Sequence, residues 1–190
     1  MVDQRLGDWR PTTGDERLDR MESYAAIQQL VSRYARALDA RDMDTVVSLF
    51  SPDVQVGADA RGREALKQWM SVLMSQMRTS VHLVANHVID FHDADHASGV
   101  VYCRDELERP DTGEWAVGTI QYWDDYERAD GEWCISRRRL HRWYLVDWLE
   151  RPQPGLGVND FGSHIREKLL PDAYRSWAEF WESNRGPWSA

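Results

Sequence analysis

The sequence predicts an α+β fold, from two hydrophobic periods and the turns between them. Apolar residues recur at helical spacing in the stretch Ala26 to Phe50, through Ile27, Leu30, Val31, Tyr34 and Leu38. From Thr79 the period falls to two, the repeat of a strand with unlike faces. Breaks rich in Asp, Gly and Pro separate the strand-like segments. Helices followed by an antiparallel meander make an α+β pattern.

Residues 1–20 are polar, contain Pro11 and Gly14, and read as an N-terminal arm. The first helix is expected to start between Asp19 and Ser23 and to end by Ala40. A second covers Asp44 to Phe50, capped by Asp42 or Asp44. Ser51-Pro52-Asp53 is a turn, and Val54 to Val56 a short strand. A third helix spans residues 62–77, with Leu66, Trp69, Met70, Leu73 and Met77 on its apolar face. Four strands follow at Thr79 to Phe91, Ala97 to Glu108, Glu114 to Arg128 and Glu132 to Asp147. The Pro/Gly-rich connector RPQPGLGVNDFG leads to a last helix at Leu170 to Ser183, with Pro171 near its first turn. Its aromatic face of Leu170, Tyr174, Trp177 and Trp181 suits either closure of a cavity mouth or packing on a partner subunit. The chain therefore divides into an arm (1–20), a main domain (21–148) and a C-terminal extension with a helix (149–190).

Composition narrows the partners. The net charge of −9 argues against nucleic acid, because no basic stripe offsets phosphate repulsion. The one basic cluster, Arg137 to Arg139 with Arg142, lies in a strand that splits it between two faces. No segment has the ~20 apolar residues of a membrane span, and the N-terminus carries no apolar run of a signal peptide. The expected location is the cytoplasm. Cys103 and Cys134 have neither CxxC nor zinc spacing, so they read as buried small apolar residues. No metal, nucleotide or flavin is expected. Ten tryptophans are many for this length and suggest aromatic-lined walls or interfaces.

Several polar residues fall on faces that should be dry. Tyr34 sits in the middle of the first helix's apolar stripe, and Asp39 lies at its edge, before the break at Ala40-Arg41-Asp42. In the first long strand His82, Val84, Asn86 and Val88 share one face, and His87 lies on the other with Ile89 and Phe91. In the next, Asp105 shares a row with Val101, Cys103 and Leu107. A buried carboxylate needs a partner or a proton, and Arg138 is the candidate cation, on a face with Cys134, Ser136 and Leu140. His87, His92, His96 and His164 read as surface or turn residues. Each polar residue alone has a structural explanation. Their concurrence on inward faces points to a polar-spotted cavity.

With these residues in view, the chain resembles the SnoaL-like group of the nuclear transport factor 2-like superfamily. The resemblance rests on AIQQLVSRYARALDARD at 26–42, LFSPDV at 49–54, the His82-x-x-x-Asn86 spacing, and YWDDYERADGEW at 122–133. Within it the sequence is most similar to the dehydratase and dehydrochlorinase branch, in which scytalone dehydratase, bile-acid 7α-dehydratase and hexachlorocyclohexane dehydrochlorinase fall. The resemblance implies a cystatin-like conical barrel: a strongly curved antiparallel sheet packed on the N-terminal helices around an apolar pocket. It implies an Asp-His pair at Asp39 and His82, with Tyr34 and Asp105 as further catalytic residues. Asn86, Arg138, Trp69 and Tyr122 are the expected substrate-binding residues. It also implies a homodimer or homotrimer.

The expected function is that of a cofactor-independent lyase of dehydratase or dehydrohalogenase type acting on an apolar small molecule. His82 would be the general base and Asp39 its orienting partner. Two alternatives stay open. An isomerase or cyclase of the ketosteroid isomerase or polyketide cyclase type would put Asp39 itself against the reacting carbon. A non-catalytic binding or dimerisation module would lack the Asp39–His82 contact.

Overall fold

The computed structural model describes residues 9–150 and 170–183 of the 190-residue chain. Helix α1 (Gly14–Asp39) begins earlier than expected, because Thr13 caps it. The Thr13 hydroxyl accepts from the Glu16 N–H at 3.1 Å, and the Glu16 carboxylate accepts from the Thr13 N–H at 3.1 Å. This capping box satisfies donors that a helix start otherwise leaves bare. The T-x-x-E signal at 13–16 outweighs the helix-breaking reading of Pro11 and Gly14, so the expected arm is shorter by seven residues. Trp9 packs on Phe91, and the Arg20 guanidinium lies over both rings.

Helix α2 (Met43–Ser48) is capped by Asp42, whose carboxylate accepts from the Thr45 N–H. Its C-terminal end is tied to the last strand by two backbone bonds, Ser51 N–H to Ile135 O and Ile135 N–H to Leu49 O, each 2.9 Å. The expected short strand is one arm of a small hairpin, β1 (Gln55–Val56) with β2 (Ala60–Arg61). Helix α3 (Arg63–Ser75) buries Leu66, Met70 and Met74. Trp69 is 44% exposed, because Met74 rather than Trp69 completes the inward stripe with Leu66 and Met70.

The four long strands are β3 (Thr79–Phe91), β4 (His96–Glu108), β5 (Trp115–Ala129) and β6 (Glu132–Asp147). They form one antiparallel sheet in the order β3-β4-β5-β6, as the meander pattern requires. The helices pack on one face of it, and that face supplies Val101, Cys103, Ile120, Tyr122, Tyr126 and Ile135 to the core. The fold is thus the expected curved antiparallel sheet on N-terminal helices. The sheet stays open at its edge strands rather than closing into a full barrel.

Bulges change the alternation at decisive points. The register of β3 on β4 shifts between Val84 and His87. His82 and Val84 face inward before the shift, and His87, Ile89 and Phe91 face inward after it. Simple alternation therefore fails at Asn86, which is exposed, and at His87, which is half-buried rather than a surface residue. A bulge in β6 at Ser136 likewise breaks the expected row of Cys134, Ser136, Arg138 and Leu140, and a second follows the row at Trp143. A bulge inserts one residue, and each side chain beyond it moves to the opposite face.

Leu170 and Tyr174 lie against the sheet face turned away from the helices. Leu170 is buried and its N–H donates to Arg142 O at 2.9 Å. The Tyr174 hydroxyl donates to Gln121 Oε1 at 2.6 Å, and its ring packs on Trp123 and Trp143. Helix α4 (Arg175–Ser183) starts after Pro171, not around it. The expected connector at 151–162 lies outside the described residues. Among the described residues no helix is long and apolar enough to cross a membrane.

One close approach sets a packing limit. A Cβ at Gly99 would lie 2.8 Å from the Val88 carbonyl oxygen and 3.0 Å from the Tyr126 ring. Backbone cannot retreat as a flexible side chain does, so Gly99→Ala should destabilise the protein by roughly 1–3 kcal/mol. Urea unfolding checks this, and an unchanged midpoint would contradict it.

Candidate functional site

The site is built where α1 ends against β3. Asp39 is the last residue of α1, and a carboxylate there faces the negative end of the helix dipole. It is held by donors from β3. The His82 backbone N–H donates to Asp39 Oδ2 at 2.8 Å, and the Ser80 hydroxyl donates to Oδ1 at 2.9 Å. The His82 ring completes the set, with Nδ1 2.6 Å from Asp39 Oδ1. Burial works to raise the Asp39 pKa, but these hydrogen bonds outweigh it and hold the carboxyl below its ordinary value. An ionised carboxylate only accepts, so the proton in that contact sits on His82 Nδ1. The other ring nitrogen, Nε2, then carries a lone pair whenever the imidazole is neutral.

His82 lines a cavity of about 50 Å³ between the helices and the sheet. Tyr34 and Leu38 come to it from α1, Met70, Leu73 and Met74 from α3, and Met77 from the following turn. Asp105 and Leu107 come from β4, Ile120 and Tyr122 from β5, and Leu140 and Arg142 from β6. Asp39 is not among the lining residues; it stands behind His82. Four of the expected residues, Tyr34, His82, Asp105 and Tyr122, thus share one cavity, and Asp39 is bonded to one of them.

The remaining expected residues fall elsewhere. Asn86 is exposed within the β3 bulge, and Trp69 is on the outer side of α3. Arg138 does not pair with Asp105. It makes a two-pronged pair with Asp124, through Nε to Oδ1 at 2.8 Å and Nη2 to Oδ2 at 2.6 Å. Burial opposes its charge, but Asp124 more than compensates, and the Arg138 pKa is raised. Its guanidinium sits 4.2 Å from the Tyr34 ring centre and 4.1 Å from that of Tyr122, so it supports the cavity's aromatic wall from behind.

The cation on the cavity is Arg142, whose Nη1 donates to Asp105 Oδ2 at 2.8 Å. Both side chains are almost fully buried, and Asp105 Oδ1 and Arg142 Nε have no protein partner. Gly118 leaves the room for this pair: a Cβ there would lie 2.4 Å from Asp105 Oδ1 and 2.6 Å from Arg142 Nη1. The signal for Arg142 was its even spacing from Arg138 and Leu140. Ser80 and Met74 were also missed. Ser80 is two residues before His82 and so shares its face.

Tyr34 is the hydroxyl-bearing group of the helix wall. Burial pushes its phenol pKa up, with Arg138 pulling the other way, so the phenol stays protonated near neutral pH. Among the described residues, no three His, Cys, Asp or Glu side chains are grouped to hold a metal ion.

His87 belongs to a second network behind the wall. Its Nε2 lies 3.1 Å from the Tyr126 hydroxyl, which donates to Asp124 Oδ2 at 2.8 Å. Burial lowers the His87 pKa to about 4 from an ordinary 6.5, Asp124 acting against this and Arg138 with it. The unfolded chain therefore takes up this proton first as pH falls. Stability contributed by neutral His87 is present above about pH 6.5 and lost towards about pH 4. His87→Gln should flatten the stability profile over that window, as urea titrations between about pH 7 and 4.5 would show. An unchanged slope would contradict this assignment.

Comparison with known proteins places the chain. The SnoaL-like domain profile matches residues 19–139. An uncharacterized protein of Mycobacterium tuberculosis is 31% identical over 127 residues, which are 63% of this chain and 82% of that protein. A hexachlorocyclohexane dehydrochlorinase of Sphingobium indicum is 28% identical over 127 residues, 63% of this chain and 81% of the enzyme. The crystal structure of a hexachlorocyclohexane dehydrochlorinase from Novosphingobium barchaimii superposes with a TM-score of 0.62 at 25% identity, covering 70% of this chain and 95% of that one.

Proposed function

Because this chain belongs to the SnoaL-like family, whose fold hosts several chemistries, we propose from its cavity that it is a cofactor-independent carbon–oxygen lyase. Its substrate is an apolar small molecule bearing a hydroxyl group β to a carbonyl. The observation that carries this reading is the placement of His82 on the cavity with Asp39 behind it, 2.6 Å from Nδ1. A cyclase or isomerase base of carboxylate type would need Asp39 on the cavity itself.

The residues divide the reaction between them. His82 Nε2 takes the proton from the carbon next to the carbonyl, and the C–H electron pair passes into an enolate. Tyr34 donates its phenolic proton in a hydrogen bond to the enolate oxygen. The electrons then return to form the C=C bond as the C–O bond breaks. The departing hydroxide takes the proton from the imidazolium and leaves as water, and His82 is neutral again. Asp39 offsets the imidazolium charge while it lasts.

Asp105 and Arg142 favour hydroxide over halide as the leaving group. Their free atoms are one acceptor, Asp105 Oδ1, and one donor, Arg142 Nε. A hydroxyl both donates and accepts, so it can satisfy both. A chloride accepts only, and the neighbouring carboxylate repels it. The dehydrochlorinase relatives are what favour the halide alternative. The cavity, at about 50 Å³, is far below the roughly 300–1,000 Å³ of ligand pockets. Substrate entry therefore requires the wall of Met70, Met74 and Met77 to move, which unbranched thioethers allow.

The assay is enone formation, followed by ultraviolet absorbance, from a set of cyclic β-hydroxy ketones and their β-chloro analogues. His82→Ala and Asp39→Asn should each lower kcat/KM by roughly 10²–10⁴-fold while the protein stays folded. Near-normal turnover in either variant would refute the assigned roles. Asp105→Asn should reduce turnover of the hydroxyl substrate more than that of the chloro analogue. An equal loss for both would remove the argument for a hydroxyl leaving group.

A further inference from the structure

The break after α1 contains a residue in an unusual conformation. Arg41 has φ of 58°, in the left-handed region that normally selects glycine. The backbone around it closes the helix in a Schellman pattern, with Arg41 N–H to Leu38 O at 3.1 Å and Asp42 N–H to Ala37 O at 2.9 Å. Glycine would meet that need at less cost, so the helix end alone does not account for an arginine.

Its side chain does. The Arg41 guanidinium turns back to the start of β3 and donates to Ser80 Oγ at 2.7 Å, Met77 O at 3.0 Å and Leu38 O at 3.0 Å. Ser80 Oγ in turn lies 2.9 Å from Asp39 Oδ1. The directions of these bonds follow from what each group is able to do. A guanidinium only donates, so the serine oxygen accepts from it. The serine's one proton is then available to Asp39, and the ionised carboxylate only accepts. At the far end the same carboxylate requires the proton on His82 Nδ1.

We propose that Arg41 and Ser80 are positioning residues for His82: a one-way chain of donors, Arg41 to Ser80 to Asp39, anchors the carboxylate and so fixes the imidazole tautomer with its lone pair on Nε2. The chain starts from a group that does not release its proton in the physiological range, so its direction is not reversed by pH. The proposal rests on the dyad reading above, but its test does not need a substrate. The ionisable groups facing the pair from the packed elements are Tyr34 from α1, Arg41 from the following loop, Cys103 and Asp105 from β4, Tyr122 from β5 and Arg142 from β6. Helix α3 brings only apolar side chains to the cavity.

The test is nuclear magnetic resonance on the full chain with ¹⁵N-labelled histidine and ¹³C-labelled aspartate, for wild type, Arg41→Gly, Arg41→Lys and Ser80→Ala. Wild type should show His82 as a single tautomer, protonated at Nδ1. Arg41→Gly, which suits the backbone, and Ser80→Ala should both give mixed or exchange-broadened ring signals. Arg41→Lys, which keeps the charge without the fork, should fall between. The Asp39 carboxyl titration should move up in Ser80→Ala, which removes one of its donors. A His82 spectrum and an Asp39 titration unchanged in Ser80→Ala would overturn the proposal. If Arg41→Gly unfolds, Ser80→Ala and Arg41→Lys decide the question alone. Loss of the single tautomer with no turnover of any β-hydroxy ketone would leave positioning intact and sink the lyase reading instead.

Discussion

The structure depends on the accommodation of one carboxylate. Asp39 stands at the C-terminal end of a long helix, where the helix dipole disfavours it. Donors from β3 make the position tenable, and they join the helix to the edge of the sheet across about forty residues of sequence. The same contact fixes the proton of the His82 ring on Nδ1, so one set of hydrogen bonds anchors the carboxylate and, on the proposed reading, also prepares the base.

The cavity beyond that contact is mostly apolar, and its polar groups are held from behind. Arg138 and Asp124 form a largely buried pair, and the guanidinium lies over the rings of Tyr34 and Tyr122. Asp105 and Arg142 form another, made possible by the missing side chain at Gly118. Buried pairs such as these add little net stability over apolar replacements, because desolvation offsets the attraction. Here they agree with a role in holding the cavity wall, and the second pair leaves one acceptor and one donor, Asp105 Oδ1 and Arg142 Nε, without a protein partner.

Much of this was legible in the sequence, and the failures have a common cause. The helical stripe from Ile27 to Leu38 and the change to period two at Thr79 suffice for the order of helices and strands. Asp39, His82, Tyr34 and Asp105 were readable as polar residues on apolar rows. Alternation misled wherever a bulge intervened: Asn86 and His87 exchanged faces beyond Val84, and the row through Arg138 was broken at Ser136. Pairing was less accessible still. Nothing in strand period tells that Arg138 finds Asp124 and that Arg142 finds Asp105, since partner choice depends on register across neighbouring strands. Arg41 was hidden for a different reason. An arginine in a turn reads as a solvated charge unless its backbone conformation is known.

The central claim is that a neutral His82 nitrogen, oriented by Asp39, faces the carbon that loses a proton. A crystal structure with a bound, slowly reacting β-hydroxy ketone tests it most directly. The account predicts His82 Nε2 within about 3.5 Å of the carbon next to the carbonyl, the carbonyl oxygen on the Tyr34 hydroxyl, and the β-hydroxyl between Asp105 and Arg142. A ligand bound with Asp39 against that carbon, or with His82 turned away from it, would contradict the account.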